Sequence, residues 1–150
     1  MKAGVLTISD KGSRGMLAEN GMDIRRRAIV PDRIDRIAHT LIEWVDGDGL
    51  SLIVTSGGTG LAPTDVTPQA MHEVIDYEVP GMAEAMRAAS LKETHHAMIS
   101  RAVAGVRGRC LIVNLPGSPG GVRDNLSVVL PALPHALSKL AGDTSDCAQT

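Results

Sequence analysis

A glycine-rich turn follows an aliphatic stretch near the middle of the chain. Residues 50–55 form the aliphatic stretch, and Ser56-Gly57-Gly58-Thr59-Gly60 forms the turn. Glycine can adopt positive φ and lets the backbone approach a ligand closely. Converging backbone N–H groups, together with the hydroxyls of Ser56 and Thr59, are suitable donors to an oxyanion. The turn is therefore interpreted as a phosphate cradle, with a simple turn between two elements as the alternative. Replacing Gly58 by Val is expected to abolish nucleotide binding while the fold survives.

Two aspartates are candidates for acidic roles. Asp65 follows the glycine turn and could hold a cation against bound phosphates. Alternatively, its carboxylate could accept a hydrogen bond from the backbone N–H of Thr67 and stabilise a turn. Asp32 precedes a predicted helix that begins near Ile34, where it would serve as the N-cap.

Neither common nucleotide-binding motif fits the glycine turn. A Walker loop requires a lysine after its last glycine, and no lysine follows Gly60. A dinucleotide fingerprint opens directly into a helix, whereas Pro63 interrupts the chain here.

The glycine turn and the residues after it resemble the molybdenum cofactor biosynthesis family, which includes molybdopterin adenylyltransferases and the gephyrin G domain. The resemblance covers Lys2 to about Leu140. Its nearest rival is the family of competence-damage-type proteins, which usually carry paired aspartates where this chain has Asp65-Val66. The matching segments are Thr7-Ile8-Ser9-Asp10, Val30-Pro31-Asp32, Ser56 to Gly60, Asp65-Val66-Thr67-Pro68, Val79-Pro80-Gly81, Ser100-Arg101-Ala102 and Asn114-Leu115-Pro116-Gly117-Ser118-Pro119.

The resemblance implies transfer of AMP from ATP to molybdopterin with release of pyrophosphate. Asp32 and Asp65 would then be the catalytic residues and the ligands of Mg²⁺. A homotrimer or higher homo-oligomer and a molybdate-insertion partner protein are also implied. The residues that would contact ATP or molybdopterin are Ser9, Asp10, Ser56, Gly57, Gly58, Thr59, Gly60, Ser100, Arg101, Asn114, Pro116, Gly117 and Ser118.

Two alternatives to this activity remain open. One is a pterin-binding or scaffold protein without catalysis, and the other is a hydrolase of nucleotide pyrophosphate bonds.

Thr64 and the pair Gly120-Gly121 stand where members of the resembled family often have a basic residue. Both differences remove positive charge and predict weaker attraction of phosphate.

The composition narrows the class of protein. A net charge of −2 and a pI of about 6.2 argue against a nucleic-acid-binding domain. The three consecutive arginines, residues 25–27, fit a solvated edge strand. Two cysteines indicate neither a disulfide framework nor a metal cluster. With no Phe, one Trp and one Tyr, the core must be mainly aliphatic. No membrane span or signal peptide is evident, so a cytoplasmic location is expected.

Strand and helix patterns alternate along the chain. Aliphatic runs predict strands at residues 2–9, 50–55 and 110–115, and residues 103–106 fit a short strand or hairpin arm. Helical spacing predicts helices from Ile34 and from Met82, a short helix capped by Thr67, and helices from about Pro119 and Pro134. This order predicts a three-layer α/β/α domain over residues 1–142 with a mostly parallel sheet, followed by a polar tail over residues 143–150. The candidate residues follow strands and should meet at one sheet edge.

The connection between the first two strands is short. A parallel crossover with its helix usually takes a dozen or more residues, and only residues 16–20 have a helical pattern. The sequence therefore predicts a break after Gly15, where residues of a longer helix would be missing. In the alternative, a continuous chain, one face of the first strand would be covered by another subunit or left partly bare.

Overall fold

The structure, a computed structural model, describes residues 1–7 and 12–145. Its centre is a six-stranded sheet in the order β2-β1-β3-β6-β5-β4. The four strands β2, β1, β3 and β6 are parallel; β5 pairs antiparallel with β6, and β4 pairs antiparallel with β5. The strands are β1 (Lys2–Thr7), β2 (Asp23–Ile29), β3 (Leu52–Ser56), β4 (Tyr77–Glu78), β5 (Ala104–Arg107) and β6 (Cys110–Leu115).

Helices cover both faces of this sheet. One face packs against α1, α4, α5 and α6, and the other against α2 and α3. The predicted three-layer α/β/α fold with a mostly parallel sheet is confirmed. The helices are α1 (Gly12–Glu19), α2 (Ile34–Ile42), α3 (Thr67–Val74), α4 (Pro80–Leu91), α5 (Pro119–Val129) and α6 (Leu133–Ala141), with a π-helical turn at Glu43–Gly47 and 3₁₀ turns at His95–Ile99 and Leu130–Ala132.

The core is aliphatic, with one tryptophan. Every residue of β3 and β6 is buried, as expected for parallel strands covered on both faces. Trp44 is 1% exposed and lies against the backbone of β1. A Cβ atom placed on Gly4 would lie 2.8 Å from Trp44 Cε3, so glycine is needed where the indole packs.

The prediction of a break after Gly15 is wrong. Helix α1 runs without interruption from Gly12 to Glu19 and starts earlier than the helical pattern indicated. Leu17 is fully buried in the same cluster as Ala3 and Val5 of β1. Two turns of helix therefore cover β1. Packing of Leu17 stabilises a segment whose own helix-forming tendency is weak.

The arginine-rich strand lies at the edge of the sheet, as predicted. β2 pairs only with β1 in the described sheet, and its exposed and half-buried residues alternate. Arg26 forms salt bridges of 3.4 Å with Glu43 and 3.1 Å with Asp48. Its guanidinium carbon is 5.7 Å from the centre of the Trp44 ring, which is within the range of a cation–π contact.

Candidate active site at the carboxyl edge of the sheet

The glycine turn and the loop after β6 are in direct contact. Gly57 and Gly58 adopt φ of +93° and +66°, as the sequence indicated. The N–H of Gly57 donates to the carbonyl oxygen of Leu115 at 3.0 Å. A Cβ atom on Gly117 would lie 3.4 Å from the Gly57 Cα atom. Two loops that are far apart in the sequence therefore form one surface.

Helix α3 holds the other side of the turn through Thr67. The Thr67 N–H donates to Gly58 O and its hydroxyl donates to Gly57 O, both at 3.1 Å. The prediction that Thr67 caps the helix is wrong: α3 begins at Thr67, and Val66 occupies the N-cap position. A Cβ atom on Gly58 would lie 2.3 Å from Thr67 Oγ1. A valine at Gly58 would therefore distort the turn itself, which is a further reason to expect that Gly58→Val loses nucleotide binding; survival of the fold in this variant stays a prediction.

Asp32 lies beside the glycine turn and is exposed. Its Oδ1 atom is 3.6 Å from the position of a Cβ atom on Gly58. The N-cap of α2 is Arg33, and no side chain provides a capping hydrogen bond there. The prediction that Asp32 caps this helix is therefore wrong, and a structural cap does not account for its carboxylate.

Asp65 lies beside the Gly60 end of the same turn and is half-buried. Its Oδ2 atom accepts a hydrogen bond of 2.9 Å from the N–H of Ala62. The predicted bond from the Thr67 N–H is absent, because that N–H bonds Gly58 O. A Cβ atom on Gly60 would lie 2.8 Å from Asp65 Oδ2, so glycine leaves the room that this carboxylate occupies.

The pair of aspartates suits a magnesium ion bound together with substrate phosphates. Within residues 1–7 and 12–145 there is no group of three or more His, Cys, Asp or Glu side chains that could hold a metal by themselves. Mg²⁺ retains several waters and typically takes one or two carboxylates plus phosphate oxygens. Asp32 and Asp65, which flank a turn suited to phosphate, match that requirement.

The hydroxyl residues of the turn are both buried. Ser56 Oγ has no hydrogen-bond partner in the described structure, which is costly for a buried hydroxyl. Thr59 is 6% exposed, and its carbonyl oxygen accepts the N–H of Arg101 at 2.8 Å. The two remaining candidates of the first strand, Ser9 and Asp10, lie outside the described residues.

Asn114 makes its hydrogen bonds inside the protein. It is fully buried, and its Oδ1 atom accepts the N–H of Val103 at 3.2 Å. Its Nδ2 atom donates to Thr55 Oγ1 at 2.9 Å. Asn114 therefore links β6 to β3 and to the segment that enters β5.

A cavity of about 270 Å³ opens beside the loop after β6. Of the predicted site residues, Ser100, Pro116 and Ser118 line it. Sequence reasoning missed its other polar residues, although Arg87 and Ser90 form a polar i, i+3 pair on α4 that could have indicated them. These missed residues are Arg87, Ser90, Thr94, His96 and Asn125.

Comparison with known proteins assigns the chain to a family. The family described as a probable molybdopterin binding domain matches residues 9–135. This chain belongs to the molybdopterin binding domain family. The family resemblance that the motifs indicated is thereby confirmed.

Named relatives of this molybdopterin binding domain include enzymes of similar size. A molybdopterin adenylyltransferase of Helicobacter pylori strain 26695 is 38% identical, over 93% of this chain and 88% of that enzyme. The crystal structure of the molybdopterin biosynthesis enzyme MoaB from Thermus thermophilus is 50% identical, with a TM-score of 0.84 over 95% of this chain and 97% of that one. Gephyrin of Dictyostelium discoideum is 46% identical over 73% of this chain, which spans 15% of that protein's length.

This molybdopterin binding domain is shorter than the H. pylori enzyme within the aligned region. That alignment extends over 154 positions, more than the 150 residues of the whole chain. The H. pylori enzyme therefore contains positions that have no counterpart here. In the described part of the chain, no helix is long and apolar enough to cross a membrane.

Proposed function

We propose that this chain is a molybdopterin adenylyltransferase, which transfers AMP from ATP to the terminal phosphate of molybdopterin. The observation that carries the proposal is the contact between the glycine turn and the loop after β6. Gly57 N–H donates to Leu115 O, and Pro116 and Ser118 of that loop line the 270 Å³ cavity. A turn suited to triphosphate is thus next to a cavity that can receive an acceptor and whose lining includes Arg87, Ser90 and Asn125. The similarity to named adenylyltransferases supports the same activity.

The chain's residues suit an in-line displacement at the α-phosphorus of ATP. An oxygen of the molybdopterin phosphate forms the new P–O bond, and the bond to pyrophosphate breaks, with the electron pair leaving on pyrophosphate. The attacking group is already an oxyanion and needs no general base, so orientation and charge stabilisation supply most of the catalysis. Backbone N–H groups of the glycine turn would orient the phosphates.

Asp32 and Asp65 would hold Mg²⁺ in this reaction. The ion would neutralise charge on the triphosphate when bound. The proximity of Asp32 Oδ1 to Gly58 and of Asp65 Oδ2 to Gly60 supports this assignment. The cavity residues Arg87 and Ser100 would face the acceptor rather than the nucleotide.

The decisive experiment is incubation of the purified protein with ATP, Mg²⁺ and molybdopterin, with detection of adenylylated molybdopterin and pyrophosphate. The proposal expects both products only when all three reactants are present. Pyrophosphate or AMP released without molybdopterin would instead indicate a hydrolase. Tight binding of molybdopterin without turnover would indicate a binding or scaffold protein.

We also propose a cytoplasmic homo-oligomer, with a trimer as the expected form and a molybdate-insertion protein as its downstream partner. Three large apolar residues are exposed on the described surface near the site: Leu61 at 64%, Met98 at 68% and Ile99 at 48%. Burial of such side chains between subunits would stabilise an oligomer. Sedimentation at micromolar concentrations should give a mass of about three chains, whereas a monomer at every concentration would contradict this proposal.

A further inference from the structure

The half-buried side chain of Arg101 is held by hydrogen bonds within the protein. Its side chain makes three hydrogen bonds with the segment that contains the glycine turn and α3. Nε donates to Gly60 O at 2.8 Å, Nη2 donates to Asp65 O at 2.6 Å, and Nη1 donates to Gln69 Oε1 at 3.3 Å. All three guanidinium nitrogens are therefore engaged within the protein.

The same residue holds the turn through its backbone. The Arg101 N–H donates to Thr59 O at 2.8 Å. The carbonyl oxygens of Thr59, Gly60 and Asp65 are thus all bound by one residue. Other bonds in this loop, such as Asp65 N–H to Ala62 O at 2.8 Å, are internal to it. Without the Arg101 side chain, Gly60 and Asp65 would lose these hydrogen bonds to the segment before β5.

The segment that carries Arg101 is itself held by Arg87. Arg87 Nη1 donates to Ala102 O at 2.9 Å and to Ser100 O at 3.4 Å. Arg87 and Ser100 line the 270 Å³ cavity and also, together with Arg101, a second cavity of about 330 Å³. Arg87 therefore holds the backbone of residues 100–102 from the cavity side. From the same segment, Arg101 holds the glycine turn and Asp65.

We infer that Arg101 is a positioning residue that fixes the glycine turn and Asp65 relative to the acceptor cavity, and that it is not itself a ligand of molybdopterin. The guanidinium bonds the carbonyl oxygen of Asp65 and leaves the carboxylate available. These three bonds require a planar group with donors in several directions. The ammonium of lysine cannot reach three separate oxygens in this arrangement. This inference rests on the proposed function.

The test compares Arg101→Lys with a matched control, Arg107→Lys. Arg107 is also half-buried and also combines a backbone carbonyl, Val74 O, with side-chain oxygens, those of Asp46, but it is at the other end of β5. Each variant is measured for ATP affinity, molybdopterin affinity and turnover. Hydrogen exchange of the amides of residues 57–66 is measured in parallel.

For Arg101→Lys we expect turnover to fall by about a hundredfold, the scale of effect that a displacement of about 1 Å produces. ATP affinity should also weaken, molybdopterin affinity should stay within about twofold, and amide exchange of residues 57–66 should accelerate. Addition of guanidinium ion to Arg101→Ala should restore part of the turnover. Arg107→Lys should leave all four measurements near the wild-type values.

A selective loss of molybdopterin affinity with unchanged exchange of residues 57–66 would overturn the inference and make Arg101 a substrate ligand. Unchanged turnover and exchange would also overturn it. If the wild-type protein shows no adenylyl transfer, the proposed function fails, but ATP affinity and amide exchange still test the positioning role.

Discussion

Asp65→Asn separates the catalytic role of this carboxylate from its role in the turn. Asp65 Oδ2 accepts the N–H of Ala62 at 2.9 Å, and the amide oxygen of asparagine can accept the same bond. The substitution therefore removes the negative charge and retains the turn. We expect turnover to fall at least about a hundredfold, or about 2.7 kcal/mol of transition-state stabilisation. The free energy of unfolding should change by less than about 0.5 kcal/mol.

Asp65→Ala provides the comparison, because it loses both the charge and the acceptor. It should lose as much activity and, in addition, about 0.5–1.5 kcal/mol of stability from the missing hydrogen bond. For a domain of this size that corresponds to a Tm lower by roughly 2–4 °C per kcal/mol. Asp76→Asn is the matched control, since Asp76 Oδ2 accepts the N–H of Gly108 at 2.7 Å at the opposite end of the fold.

The assays are steady-state adenylyl transfer at several Mg²⁺ concentrations and thermal unfolding of all three variants. Asp76→Asn should transfer AMP at the wild-type rate. Near-normal turnover of Asp65→Asn would refute the catalytic role. A loss of stability in Asp65→Asn equal to that in Asp65→Ala would refute the argument that the amide preserves the turn.

Three further predictions follow from individual residues. Asp32→Ser should impair transfer without lowering Tm, since Asp32 is not the N-cap of α2; full activity would remove it from the site. Asn114→Ala should cost about 2–4 kcal/mol in urea unfolding, because it leaves the Val103 N–H and the Thr55 hydroxyl without their buried partner; a smaller loss would show that they find other partners. Burial raises the pKa of the Cys110 thiol to about 12 from 9.0, so in a Cys147→Ser background a thiol reagent at pH 8 should react only after unfolding. Because folding favours the protonated thiol, its contribution to stability is complete below pH 9.0 and declines as the pH rises toward about 12.

Local sequence patterns predicted most of the elements. The apolar run before Ser56 and the run from Cys110 are the buried strands β3 and β6. The spacing of apolar residues from Ile34 and the Pro-Gly pair at Pro80 correctly indicated α2 and α4. These patterns predict their elements correctly because each depends only on residues that are close together in the sequence.

Errors arose where a distant contact decides local structure. Thr67 has a typical capping side chain, but its hydroxyl bonds Gly57 O and the helix begins at Thr67 itself. The first part of α1 has a weak helical pattern and forms because Leu17 packs under β1. The two-residue strand β4 depends on pairing with β5, which no local pattern reports.

The sequence by itself determined the family, the fold class, the glycine turn and the two aspartates, because these depend on residue type and short spacing. Only the tertiary structure decided which side chains bond within the protein and which line the cavity. Arg101 and Asn114 belong to family motifs, yet their polar atoms bond other parts of the protein. Arg87 and His96 belong to none of the recognised motifs, yet they line the cavity. The direction of a side chain is set by packing between segments far apart in the chain, and a motif records only that the residue is present.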